Sequence, residues 1–104
     1  MRRKEDQGQE VRWLLLHPSD NTATALADLQ AGEAISLERC GPHLTVTLLE
    51  PIPFAHKFAI DPIPRGGEVR KHGEVIGEAS QDIRPGELVH VHNVVGRRSR
   101  GGKE

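Results

Sequence analysis

Apolar and polar residues alternate in Leu44-Thr45-Val46-Thr47-Leu48, and this period of two predicts a half-buried β-strand with the threonines on its outer face. Shorter apolar runs predict strands over Val11 to Leu16, Ala34 to Leu37, Leu44 to Leu49, Lys57 to Ile60, Glu68 to Lys71, Val75 to Ala79 and Leu88 to Val95. Prolines and glycines punctuate them, as in Pro51-Ile52-Pro53, Gly66-Gly67 and Pro85-Gly86. One stretch breaks the pattern. Asp20 and Asn21 are good N-caps, Ala23, Ala25, Leu26, Ala27 and Leu29 are helix formers, and Gly32 is a C-terminal stop. One short helix is therefore expected near residues 20–31, in a chain that is otherwise mostly β. No internal repeat stands out.

In an extended run, alternate side chains share a face, so Val89-His90-Val91-His92 places both imidazoles on one side and both valines on the other. His17 closes the first apolar run ahead of Pro18-Ser19-Asp20-Asn21, and His56-Lys57 follows the turn around Pro51 and Pro53. Imidazoles at strand ends and turns, with Asp, Asn and Lys beside them, suggest a polar site on a β scaffold. His56 and Lys57 alternate faces if extended; only one of them then faces that site, and His56 is favoured. Lys71-His72-Gly73-Glu74 reads as a tight hairpin with Gly73 at the turn, and His43 and His72 as surface residues.

At 104 residues and 36% hydrophobic, the chain fits one small domain. A net charge of -1 gives no global field to draw in nucleic acid or a membrane surface. Arg2, Arg3 and Lys4 at one end, and Arg97, Arg98, Arg100 and Lys103 at the other, read as solvated tails over 1–10 and 96–104 around a domain at 11–95. These tails lack the aromatic residues that would stack on RNA bases. Cys40 is the only cysteine, so an internal disulfide and a thiolate metal cluster are excluded, and it reads as an incidental thiol in a reducing compartment. Without the apolar core of a secretion signal or a membrane span, a cytoplasmic protein is expected.

Four motifs resemble, in order and spacing, the SAF domain of the altronate and galactarate dehydratases. They are His17-Pro18-Ser19-Asp20-Asn21-Thr22-Ala23-Thr24-Ala25-Leu26, Ile52-Pro53-Phe54-Ala55-His56-Lys57-Phe58-Ala59-Ile60, Val69-Arg70-Lys71-His72-Gly73-Glu74-Val75-Ile76-Gly77-Glu78-Ala79 and Gly86-Glu87-Leu88-Val89-His90-Val91-His92-Asn93. The same domain forms the small subunit of sulfolactate sulfo-lyase. Ala55 stands where the family usually has Gly, Thr22 and Thr24 replace aliphatic residues, and His72 replaces an aromatic. The resemblance implies a compact β-clip. It also implies a small subunit or N-terminal domain of a sugar-acid or sulfo-acid lyase whose site is completed by a large catalytic subunit.

Sugar-acid dehydration removes the proton beside a carboxylate and expels a neighbouring hydroxyl. A divalent metal chelating the acid lowers the cost of the developing charge, and a His or Lys moves the proton. His17, His90 and His92 are the expected metal ligands, with iron implied by the resemblance and Mn or Zn also suited to imidazole. The two histidines of the last strand would lie about 7 Å apart, so one joins His17 at the metal and the other meets substrate or partner. His56 and Lys71 are the candidate catalytic groups, and Asp20, Asn21, Lys57 and Asn93 the candidate substrate contacts. The chain alone is expected to be inactive. The alternative from another class is a non-enzymatic carbohydrate-binding β-clip module.

Overall fold

The computed structural model describes residues 11–38 and 43–96. Cys40 and the two basic tails lie outside the described residues. The strands, in chain order, are β1 (Trp13–Leu14), β2 (Thr22–Ala25), β3 (Ala34–Glu38), β4 (His43–Thr47), β5 (Lys57–Ala59), β6 (Glu68–Lys71), β7 (Glu74–Ala79), β8 (Leu88–Val89) and β9 (Val94–Val95). They form a central antiparallel sheet β1-β2-β5-β8, a hairpin β3-β4, and a sheet β6-β7-β9. The mostly β fold class is as the alternation predicts. Among the described residues no helix is long and apolar enough to cross a membrane.

Each face of the central sheet carries its own core, because cross-strand partners put their side chains on the same side. Ala23, Phe58 and Leu88 are register partners on one face, packed with Leu29, Ile35, Leu37, Val46, Leu48 and Ile52. On the other face Ala59 and Val89 pack with Ile63, Val69, Ala79 and Ile83, which brings in the β6-β7-β9 sheet. Fully burying a side chain such as Phe58, 0% exposed, stabilises by roughly 1.5–3 kcal/mol. A third row, Thr24-Lys57-Val89, lies on this second face. It puts a lysine beside an apolar core.

The helix expected near residues 20–31 is replaced by β2 and a following turn. Helix propensity in the alanines is a weak preference, and here pairing and packing override it. Ala23 and Ala25 are almost wholly buried, and their small size lets the sheet pack closely against its core. The Asp20 carboxylate, read as a cap, instead accepts the His72 and Gly73 amides at 2.7 and 2.8 Å. It pins the β6-β7 turn, where His72 and Gly73 both have positive φ and His17 covers Gly73 so closely that a side chain there would meet its ring at 3.0 Å.

The same segment belongs to an internal repeat that the sequence reading misses. Ala25-x-x-Asp28-Leu29-x-x-Gly32-Glu33 recurs as Ala79-x-x-Asp82-Ile83-x-x-Gly86-Glu87. The hydrogen bonds repeat with the letters. Asp28 accepts the Phe54 amide as Asp82 accepts the Arg65 amide, and Leu29 bridges Ile52 as Ile83 bridges Ile63. Glu33 accepts the Gln30 amide as Glu87 accepts the Arg84 amide. Four turns result, closed by the amides of Glu33, His56, Gly67 and Glu87 on the carbonyls of Gln30, Pro53, Pro64 and Arg84. Their third residues, Gly32, Ala55, Gly66 and Gly86, all have positive φ, the signature of type II turns.

Two strands are shorter than the apolar runs. Val11 to Leu16 contracts to β1, and Leu88 to Val95 is cut into β8 and β9 by a turn at His90 to Asn93. Buried Asn93 makes that cut: its Oδ1 accepts the His90 amide at 3.0 Å, its Nδ2 donates to the Leu88 carbonyl at 2.9 Å, and its own amide donates to the His90 carbonyl. The alternation therefore stops at Val89. Val91 is 81% exposed instead of facing the core, and His90 and His92 do not share the face of one strand.

Candidate functional site

Lys57, His90, Val89, Val91, Ile76, Val94 and Gly96 line an open pocket of about 270 Å³ between the central sheet and the β6-β7-β9 sheet. Each wall has a local cause. The registers Val69↔Gly77 and Arg70↔Val75 leave Ile76 unpaired on β7, and this bulge turns it out to form one wall. β9 brings Val94 by approaching Gly77 so closely that a Cβ there would lie 2.5 Å from the Val95 carbonyl oxygen. Val89 and Lys57 are register partners on the floor.

Lys57 is half-buried, and among the described residues its ammonium has no hydrogen bond or ion pair. Its pKa lies below the usual 10.5, first because burial penalises the charge and then because the Lys71 ammonium repels it. Thr24, its register partner, carries a buried Oγ1 with no hydrogen-bond partner among the described residues. A half-buried ammonium without a counter-ion and a buried hydroxyl without a partner each cost stability, and of the two only Lys57 lines the pocket.

His56 and His90 occupy the next position beyond the Lys57–Val89 pair, and their rings meet with centroids 4.8 Å apart at 53°. His56 Nδ1 lies 3.0 Å from the Phe54 carbonyl oxygen, which can only accept, so that nitrogen carries the proton. In neutral His56 the Nε2 lone pair is consequently free to accept a proton or a ligand. His17 is arranged the opposite way. Its Nδ1 accepts the Ser19 amide at 3.1 Å, which leaves the proton of the neutral ring on Nε2.

Of the residues singled out from sequence, the fold brings Lys57, His90 and His56 together and sets Lys71 within electrostatic range of Lys57. Asp20, Asn21 and Asn93 have other tasks. Asn21 donates to the Glu68 carbonyl and accepts the Arg70 amide, which ties the start of β2 to the edge strand β6. All three are at most 5% exposed, with their polar atoms on backbone, so they shape the site without facing a ligand. His92 is exposed in the His90 to Asn93 turn. Among the described residues no three His, Cys, Asp or Glu side chains are grouped to hold a metal ion, so His17, His90 and His92 do not form one site. This donor set falls short of the three or more protein ligands such a centre normally takes.

Sequence reasoning ranked His56 above Lys57 and passed over Thr24 and Ile76. The β5-β8 register, not the local pattern, places Lys57 in the pocket, and Ile76 depends on a bulge that no spacing rule announces.

The family described as the altronate/galactarate dehydratase SAF domain matches residues 11–97. The chain belongs to that family. Altronate dehydratase of Escherichia coli is 41% identical over 83 residues, and that of Bacillus subtilis 38% over 81. The (2R)-sulfolactate sulfo-lyase subunit alpha of Chromohalobacter salexigens is 47% identical over 47 residues, covering 45% of this chain and 50% of that one. These matches cover 80% and 78% of this chain but only 16% of either altronate dehydratase. In this SAF domain the family motif Ile52 to Ile60 supplies Lys57, and the motif Gly86 to Asn93 supplies Val89, His90 and Val91, so two separate motifs meet in one pocket, with His56 against the His90 ring.

Proposed function

We propose that this SAF domain is the small part of a hydro-lyase acting on a sugar acid of the altronate or galactarate class, and that it lends the groups around Lys57 to a site completed by a larger catalytic portion or subunit. The observation that carries this reading is the match over residues 11–97 to dehydratase SAF domains that make up a small fraction of their proteins. A relative named as a lyase subunit supports a separately made partner. Lys57 and the Nε2 of His56 suit proton handling beside a carboxylate, since burial lowers the ammonium pKa and the imidazole keeps a free lone pair. Holding substrate, base and leaving group in one closed arrangement needs more groups than this pocket offers. A divalent metal, iron by family resemblance, would take most of its ligands from the larger portion.

The test is reconstitution. The purified chain should not dehydrate altronate or galactarate alone, and should support turnover once combined with the large subunit it copurifies with. His56→Gln should lower kcat of the assembled enzyme by about 10²-fold or more while circular dichroism shows an unchanged fold. Turnover by the single chain, or an assembled enzyme indifferent to His56→Gln and Lys57→Met, would refute the proposal.

A further inference from the structure

We infer that the Lys57 pocket is a subsite for a small organic anion, in which a carboxylate is held between the Lys57 ammonium and the His90 imidazole with Lys71 reinforcing the field. The charges are one-sided. The lining contains an ammonium and an imidazole and no carboxylate, and a second ammonium stands close enough to repel the first. Without an anion, the fold leaves Lys57 partly desolvated, pushed by Lys71 and without a counter-ion among the described residues. A carboxylate at this point supplies the counter-ion, and its attraction offsets both the desolvation and the Lys71 repulsion.

The walls strengthen the interaction. Ile76, Val89, Val91 and Val94 give the pocket apolar walls, and a charge pair beside such walls attracts more than it does in bulk solvent. Ammonium and imidazole together match a carboxylate. A concave slot of about 270 Å³ suits a small molecule better than an acidic segment of another protein, which needs a broad contact surface. That the anion is a sugar acid rests on the proposed function; that the pocket takes an anion does not.

The test uses the full 104-residue chain and NMR titration with galactarate, its uncharged counterpart galactitol, and acetate. Galactarate should shift the Lys57 side-chain and His90 ring signals saturably, and galactitol should not. Lys57→Met should weaken binding roughly tenfold or more, the loss expected for one charge-assisted hydrogen bond, while Arg65→Gln on a distant turn should leave it unchanged. Acetate and galactarate binding equally at Lys57 would uphold the anion subsite and count against the sugar-acid reading. The inference is overturned if no anion moves these signals saturably, or if Lys57→Met binds as the parent does.

Discussion

Ala55 shows how one residue reports on its backbone. It sits at φ +71 as the third residue of the turn closed by the His56 amide on the Pro53 carbonyl, a place where the three sister turns have glycine. The left-handed conformation costs a residue with a Cβ about 1–2 kcal/mol, part of which glycine gives back through its larger unfolded-state entropy. Ala55→Gly should therefore stabilise the domain by about 0.5–1 kcal/mol, read as a rise in the urea midpoint at constant slope. An unchanged or lowered midpoint would mean that the turn is not strained. The departure from glycine was visible in the sequence. Its consequence required the φ angle.

At the scale of elements, the pattern of apolar runs found β3, β4, β5, β6 and β7 close to their observed positions. It failed where side chains bond to backbone, across about 50 residues for Asp20 and Asn21 and within one turn for Asn93. The Asp20, Asn21 and Asn93 side chains look like caps or ligands in a linear reading, and only the fold shows that they are spent on His72, Arg70 and His90. The repeat around Asp28 and Asp82 was legible in the letters, but the alanines of its first copy imitated a helix. Asn93 tests this reading. Because it satisfies one donor and one acceptor at the β8-β9 break, Asn93→Ala should cost about 1–3 kcal/mol and broaden the His90 signals as the turn loosens. A variant as stable as the parent, with His90 unmoved, would show that the break is set by something else.

For the molecule as a whole, the central sheet is asymmetric. One face is packed throughout, whereas the other changes within two residues from buried Ala59 to the half-buried charge of Lys57. A fold selected for stability alone would continue the apolar row, since Val89 is already the register partner. The lysine is thus a cost carried by the native state, and its sign can be worked out. Its native pKa is lowered, so between that value and 10.5 the unfolded chain binds more protons and stability rises with pH. Below the native value the lysine is charged in both states, and the penalty is present in full. Lys57→Met, which keeps the length of the side chain and removes the charge, should then raise stability at neutral pH by on the order of 1 kcal/mol. That advantage should shrink as the pH climbs through the native pKa toward 10.5, while anion binding and the activity of the assembled enzyme fall. Thermal melts of parent and variant at neutral and alkaline pH measure both effects. A variant less stable than the parent at neutral pH would show that Lys57 is held by attraction within the fold, and the pocket would lose its reason to bind an anion.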